Sequence, residues 1–235
     1  MEKGLKIDKT RSRKGGVKME LNKVYLGDCI EGMKNMKNNS VDFTLTDIPY
    51  GEVNRSSGGL RNLDKEAADV TTFDLNEFLD EVWRVTKGTI IIFCGRGQLS
   101  TISQFFDKKQ EQKKGTPRVL VWKKTNPSPL NGQYVYLSGI ELAMWFRKRG
   151  GTFNAHCKNT VFEHPLGRGK LHPTEKNHKL LEELILDNSN EGDIVFDPCA
   201  GSGAHLLVAK NLGRKYLGFE LNEEYYNIIQ GRLNE

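Results

Sequence analysis

Apolar and polar positions follow two rhythms along the chain. Short segments that are apolar almost throughout predict strands buried on both faces of a sheet; the first three are VYLGD (24–28), SVDFTLTD (40–47) and GTIIIFCG (88–95). Between the last two, four apolar residues share one stripe at helical spacing: Phe78, Leu79, Val82 and Trp83.

Seven further apolar segments continue this pattern to the C-terminus. They are RVLVWKK (118–124), IELAMWFRK (140–148), KLLEELILD (179–187), DIVFDP (193–198), HLLVAKNLG (205–213), KYLGFEL (215–221) and EYYNIIQGRL (224–233). Strands that alternate with helices predict an α/β fold with a doubly wound, mainly parallel, Rossmann-like sheet.

Two stretches interrupt the rhythm. Residues 52–72 and 149–172 are rich in Gly, Asn and charged residues. They are too short for separate domains and longer than ordinary connections, which favours functional loops. We therefore expect one domain over residues 19–235 that carries two long loops.

Charge separates residues 1–18 from this domain. They contain seven basic and two acidic residues, so they account for the net charge of +5 of the whole 235-residue chain. We expect a flexible tail, with a phosphate-binding arm as the alternative, on a body of balanced charge.

The cysteines and the lengths of the apolar segments indicate in which compartment the protein is expected. The four cysteines are scattered without a Cys-x-x-Cys pair, which argues against a disulfide scaffold or zinc ribbon and fits a reducing cytoplasm. The spacing of His156, Cys157, His164 and His172 matches no common zinc site, so we expect no metal. The chain shows neither a membrane-length apolar run nor an apolar leader, so we expect a cytoplasmic protein without membrane contact.

A glycine turn late in the chain indicates an adenosine-containing ligand. In DIVFDPCAGSGAHLLVA (193–209) an apolar strand runs into Asp197, the Gly201-Ser202-Gly203 turn and then a helix. The next strand ends at Glu220, 19 residues after Gly201, where a carboxylate can accept both ribose hydroxyls.

Dinucleotides and S-adenosylmethionine both fit that pattern, and two details favour S-adenosylmethionine. The third glycine of a dinucleotide turn is missing, since Ala204 and His205 follow Gly203. Asp197 would also repel a pyrophosphate but suit the ammonium group of a methionine.

The stretch TDIPY (46–50) predicts a pocket for a planar amine. Asp47 ends a buried strand, and Pro49 forces Ile48 into an extended conformation. The Asp47 carboxylate and the Ile48 carbonyl can then each accept one N–H, while Tyr50 stacks on the base, a contact that contributes roughly 1–3 kcal/mol.

Together these residues resemble the amino-methylating DNA methyltransferases. TDIPYG resembles their Asp-Pro-Pro-Tyr catalytic motif and DPCAGSG their cofactor loop; HPTEK (172–176) resembles the segment upstream of that loop, and LGDC (26–29) the acidic turn that contacts adenine. The order of the motifs is that of the beta class, and the resemblance covers most of residues 20–235.

The resemblance implies S-adenosylmethionine as the cofactor and a set of site residues. The catalytic residues it implies are Asp47, Ile48, Pro49 and Tyr50. The cofactor-binding residues it implies are Asp28, Thr174, Lys176, Asp197, Ala200, Gly201, Ser202, Gly203 and Glu220.

Two positions refine the expected reaction. Ile48 stands where the family commonly has proline, but the chemistry uses the backbone carbonyl there. Asp47 stands where cytosine-N4 enzymes tend to have serine, which favours N6 of adenine. The implied reaction is direct attack of the amine on the methyl group, so Cys199 is interpreted as loop packing and not as a nucleophile.

Duplex DNA is the implied partner, with the target base flipped out of the stack. Residues 52–72 are the expected lid and residues 149–172 the expected target-recognition segment. Candidate DNA contacts are Arg55, Arg61, Arg147 and Arg149. A homodimer and a cognate restriction nuclease encoded elsewhere are further partners that this class allows, as in restriction–modification.

Other functions stay open at this point. They are a cytosine-N4 DNA methyltransferase, an RNA or protein amide methyltransferase, a nicotinamide-dependent oxidoreductase and a DNA-binding module with a decayed site.

The order of the motifs also predicts which parts of the chain are neighbours in the fold. If Asp28 and Glu220 hold one adenosine, residues near 20 and 230 must be neighbours.

Overall fold

The computed structural model describes residues 19–50, 74–129, 132–167 and 176–234. Within them the strands are β1 (Lys23–Leu26), β2 (Val41–Asp47), β3 (Thr86–Cys94), β4 (Gly115–Lys124), β5 (Ile140–Lys148), β6 (Val161–His164), β7 (Ile194–Asp197) and β8 (Lys215–Glu220). The helices are α1 (Cys29–Lys34), α2 (Leu75–Val85), α3 (Arg96–Glu111), α4 (His178–Asn188), α5 (Ala204–Asn211) and α6 (Glu223–Asn234).

All eight strands form one sheet in the order β1-β8-β7-β2-β3-β5-β4-β6. Only β5 runs against its neighbours β3 and β4, and the remaining pairs are parallel. The predicted α/β fold with a doubly wound, mainly parallel sheet is confirmed.

Hydrophobic packing covers both faces of the sheet. Along β3, Ile90 and Ile92 point into the cluster that contains residues of α1, α2 and α3, whereas Ile91 and Phe93 point into the cluster with α4 and α5. This alternation explains why residues 90–94 of β3 are continuously apolar, since both faces of the strand are buried there.

Helix α2 shows how the sequence sets a boundary. Asp74 caps its N-terminus by accepting hydrogen bonds from the backbone N–H groups of Asn76 and Glu77. The predicted stripe then faces the core, with Phe78, Leu79 and Val82 buried. A capped amphipathic helix therefore covers the sheet beside β3.

The sheet has a switch point between β2 and β7. The strand that follows β2 in the chain, β3, lies on one side of this pair, and the strand that follows β7, β8, lies on the other. Strands β2 and β7 pair only at Phe43 with Val195 and at Thr44 with Phe196, and β2 then continues to Asp47. The carboxyl ends of these strands therefore flank a switch point of the sheet, where open α/β sheets usually bind ligands in a crevice.

The two ends of the body lie together, as expected from the order of the motifs. Strand β1 pairs with β8, and Val24 packs in one cluster with Ile229 and Leu233 of α6. This packing brings the β1 turn beside the end of β8.

The 149–172 stretch is not a loop throughout. Strand β6 (Val161–His164) lies inside it, pairs with β4 and buries Phe162. Only four residues form this strand, and one buried position is too little periodicity to reveal it in the sequence. Residues 1–18 and 52–72 lie outside the described residues. The role of residues 52–72 as a lid therefore stays a prediction.

No helix in the described part of the chain is both long and apolar enough to cross a membrane.

Candidate active site

The catalytic motif is held rigidly at the carboxyl end of β2. The Ile48 amide donates to the Phe93 carbonyl at 3.2 Å, and the Ile48 side chain is buried in the core. Gln98 donates to the Pro49 carbonyl at 2.7 Å and accepts from the Gly95 amide at 2.9 Å. Isoleucine at position 48 therefore adds core packing, while Gln98 fixes the backbone that follows.

Asp47 is engaged on both carboxylate oxygens. The Tyr50 hydroxyl donates to Asp47 Oδ1 at 2.7 Å, and the Lys176 ammonium contacts Oδ2. Lys176 also donates to the Tyr50 hydroxyl at 3.2 Å. Burial, followed by the charges of Asp47 and Glu141, raises the pKa of Tyr50 well above its ordinary value, so the phenol stays protonated.

Glu141, at the start of β5, extends this group. It accepts from Lys176 at 2.9 Å and from Lys124 at 3.0 Å. Burial alone would raise the pKa of Glu141, but the two lysines outweigh it and lower that pKa. Burial likewise lowers the pKa of Lys176, and Asp47 and Glu141 reverse the effect and raise it.

Four side chains thus alternate in charge: Asp47, Lys176, Glu141 and Lys124. Sequence reasoning missed Glu141 and Lys124 because they come from β5 and β4, far from the catalytic motif in the chain. The available signal was a lone glutamate at the second position of the apolar segment 140–148, beside strands that end at the same edge.

Asp197 links three elements of the structure. It is completely buried; its Oδ1 accepts from Thr46 Oγ1 at 2.7 Å and from the Cys199 amide at 3.1 Å. Its Oδ2 lies 2.6 Å from His205 Nδ1. This carboxylate therefore joins β2, β7 and α5, and its contact with the ammonium of a methionine stays a prediction.

The glycine turn has the backbone shape that its residues predict. Gly201 and Gly203 have φ values of 54° and 75°, and a Cβ on Gly203 would lie 3.1 Å from Ile229. Between them, Ser202 is buried, and Ala200 donates its amide to the Phe219 carbonyl at 2.9 Å. The turn is thus pinned to the end of β8.

Glu220 and Asp28 lie on adjacent strand ends. Glu220 Oε2 accepts from the Gly201 amide at 2.7 Å, and Oε1 accepts from the Asn222 amide at 2.8 Å. The Gly27 amide donates to the Glu220 carbonyl at 2.8 Å, which brings Asp28 beside this group, where Asp28 caps α1. Burial raises the pKa of Glu220 to about 7, although the backbone donors oppose the shift.

The two carboxylates and the glycine turn fit the adenosyl part of S-adenosylmethionine. Each carboxylate oxygen has two lone pairs, so Glu220 and Asp28 can still accept from hydroxyl or amine groups. The left-handed glycines let the backbone approach a ligand where a side chain would clash. One buried atom beside the turn, His205 Nε2, has no hydrogen-bond partner among the described residues.

Cys199 has the properties of an inert thiol. Contact with the Cys29 thiol, then burial, raises the pKa of Cys199 well above its ordinary value. A thiolate is the reactive form, and it is disfavoured here. This supports the interpretation of Cys199 as loop packing.

The other predicted residues divide by position. Arg147 pairs with Thr89, whereas Cys94 at the catalytic end of β3 pairs with Leu142, so Arg147 and the following Arg149 lie at the opposite edge of the sheet. The structure therefore does not bring these two arginines to Asp47, and their contact with DNA stays a prediction.

Three predicted residues, Arg55, Arg61 and Thr174, lie outside the described residues. Within the ranges that the structure describes, no three His, Cys, Asp or Glu side chains are grouped to hold a metal ion. His164 instead lies 2.7 Å from Glu183.

Comparison with known proteins connects this geometry to a family. A family model described as DNA methylase matches residues 153–231. The chain is 29% identical to the type II methyltransferase M.HinfI of Haemophilus influenzae over 92% of this chain and 69% of that protein. It is also 29% identical to M2.DpnII of Streptococcus pneumoniae over 90% of both chains.

Solved structures agree. The complex of M1.HpyAVI with SAM superimposes with a TM-score of 0.68 at 29% identity, covering 90% of this chain and 98% of that one. This chain is thus similar to the S-adenosylmethionine-dependent amino DNA methyltransferases over about 90% of its length. The PvuII methyltransferase, named as cytosine-N4-specific, shares the methyltransferase fold with a TM-score of 0.67 at 19% identity over 89% of this chain and 85% of its own.

Proposed function

We propose that this methyltransferase transfers a methyl group from S-adenosylmethionine to N6 of an adenine flipped out of duplex DNA. The observation that carries the proposal is the position of Asp47. Its carboxylate lies at the switch point of the sheet, bonded to Tyr50, with the glycine turn on the neighbouring strand β7. An amine acceptor and a cofactor cradle therefore meet in one crevice.

Each residue has a chemical task in this reaction. When bound, S-adenosylmethionine supplies an electrophilic methyl group on a sulfonium, so the target nitrogen can attack it directly. Asp47 and the Ile48 carbonyl each accept a hydrogen bond from one N–H group of the amine. Asp47 also stabilises the positive charge that develops on the nitrogen. The glycine turn and Glu220 hold the adenosyl part in reach.

The choice of adenine rests on the acidic residue at position 47. The ionised carboxylate accepts an amine N–H more strongly than a serine hydroxyl does. Among the amino-methylating DNA methyltransferases, which this chain resembles, the cytosine-N4 enzymes tend to have serine at this position. The aspartate therefore supports adenine N6, with N4 of cytosine as the alternative outcome.

A surface at the catalytic edge supports contact with DNA. Residues 132–139 lead into β5 directly before Glu141, and the side chains of Tyr134, Val135 and Tyr136 are exposed there. Exposed apolar side chains beside a catalytic group indicate an interaction surface. Aromatic rings there suit unstacked bases, because opening the duplex exposes base faces and costs a few kcal/mol.

Labelled methyl transfer tests the proposal. The protein is incubated with methyl-labelled S-adenosylmethionine and unmethylated duplex DNA, and the DNA is digested to nucleosides. We expect the label in N6-methyladenine with the wild type and none above background with Asp47→Ala. Label in N4-methylcytosine would overturn the base assignment, and label in RNA or protein but not in DNA would overturn the substrate class.

A further inference from the structure

We propose that Glu141 is a positioning residue that retains Lys176 when the target amine takes its place on Asp47. The proposal rests on the proposed function and adds a residue that acts through Lys176. In the catalytic pocket, the donors already bound to Asp47 compete with the incoming amine for the same carboxylate.

Asp47 is already bonded before any substrate arrives. Tyr50 occupies Oδ1 and Lys176 occupies Oδ2. An incoming amine must approach one of these oxygens, and there it competes with the donor that is already bound. Tyr50 is a neutral donor, whereas Lys176 carries a full charge.

Lys176 cannot shift into water. Its side chain is 3% exposed, and leaving a buried ammonium without a partner would be strongly destabilising. It needs a second carboxylate within reach, and Glu141 lies 2.9 Å from its Nζ. Lys176 can therefore release Asp47 and keep a charged partner without crossing the pocket.

Glu141 also lies 3.5 Å from the Tyr50 hydroxyl, so it offers an acceptor to both donors that now hold Asp47. Lys124, on the other side of Glu141, compensates its charge at 3.0 Å. The shift moves no proton: Lys176 releases Asp47 and keeps its existing ion pair with Glu141. The Asp47 carboxylate then faces the amine nitrogen on which positive charge develops.

The chain contains a matched ion pair that lacks this geometry. Lys23, the first residue of β1, is paired with Glu20, and the two side chains are 47% and 64% exposed. This pair lies at the end of the sheet opposite the catalytic residues. An exposed pair of this kind contributes little, which makes Glu20→Gln the control.

The test compares Glu141→Gln with Glu20→Gln in single-turnover methyl transfer to duplex DNA at saturating S-adenosylmethionine. Glutamine keeps an acceptor oxygen but cannot balance the charge of Lys176. We expect Glu141→Gln to slow transfer by roughly 10–100-fold, with cofactor affinity within about threefold of the wild type. Glu20→Gln should transfer at the wild-type rate, and Glu141→Asp should restore part of the loss.

A double-mutant cycle separates positioning through Lys176 from other roles. In a Lys176→Met background, Glu141→Gln should slow transfer by less than about threefold, because the partner it retains is gone. An equal loss in both backgrounds would overturn the proposal, as would a wild-type rate for Glu141→Gln. Thermal melting and cofactor titration show that each variant is folded.

The outcomes also separate this proposal from the proposed function. A wild-type protein that methylates no DNA base overturns both. A wild-type protein that methylates adenine, with Glu141→Gln unchanged, overturns only the role of Glu141.

Discussion

The two halves of the crevice satisfy their carboxylates in different ways. In the catalytic half, Asp47 and Glu141 are bound by the ammonium group of Lys176. In the cofactor half, Glu220 and Asp28 are bound by backbone N–H groups, which carry no net charge. The catalytic half therefore pairs its carboxylates with a cation, whereas the cofactor half does not.

This difference matches the groups that each half must bind. A neutral amine enters the catalytic half, where an unbalanced charge would attract cations or water instead. Ribose hydroxyls and an adenine amine are donors, and an ionised acceptor strengthens hydrogen bonds to them. The comparison predicts that changes in the cofactor half affect binding, whereas changes in the catalytic half affect the rate.

The largest effect on binding should come from Glu220→Gln. A hydrogen bond to a charged group contributes about 1.5–3 kcal/mol, so we expect S-adenosylmethionine to bind roughly 10–100-fold more weakly. Isothermal titration calorimetry measures this directly. Unchanged affinity would remove Glu220 from the cofactor site and break the comparison.

The second prediction concerns pH. Since burial raises the pKa of Glu220 to about 7, wild-type cofactor affinity should rise about tenfold from pH 6 to pH 8 as the carboxylate ionises. Glu220→Gln should flatten this dependence. A wild-type affinity that does not vary with pH would contradict the role of the carboxylate.

The same shift acts on the free protein with the opposite sign. Between the ordinary value of 4.5 and about 7, the folded state holds a proton that the unfolded state has released. The contribution of Glu220 to the free energy of unfolding therefore falls as pH rises through this window. Denaturant unfolding of wild type and Glu220→Gln at both ends of the window isolates it.

A smaller effect is expected from Gly203→Ala. Its φ of 75° disfavours any residue with a Cβ, and that atom would lie 3.1 Å from Ile229. We expect the free energy of unfolding to fall by about 1–2 kcal/mol, measured in urea. Gly231→Ala, on α6 with open space around its Cβ position, serves as the control and should not destabilise.

The smallest effect should follow Cys199→Ser. If no covalent intermediate forms on this thiol, transfer should stay within about threefold of the wild-type rate. A covalent nucleophile would instead make the same change abolish transfer. Steady-state methylation of duplex DNA distinguishes the two.

The sequence predicted the local parts of this molecule well. TDIPY and DPCAGSG each place their residues within one strand and the turn after it, so spacing alone locates Asp47, Tyr50 and the glycines. The fold class follows from the apolar strands for the same reason.

The contacts of Lys176 could not be predicted in this way. Glu141 contacts Lys176 from β5, a strand that runs antiparallel to its neighbours, and no local pattern states which strands are neighbours. The same reversal sends Arg147 and Arg149 to the far edge, although they follow Glu141 closely in the chain. The burial of Asp197 likewise depends on Thr46, which comes from the other side of the switch point.

The most direct test of the central claim is single-turnover methyl transfer by Asp47→Asn, with S-adenosylmethionine affinity measured on the same preparation. Asparagine keeps the shape of the side chain but loses the charge that holds the amine. The account predicts a rate at least about 100-fold lower, with cofactor affinity within about threefold of the wild type. A rate close to that of the wild type, or a rate loss explained by lost cofactor binding, would contradict it.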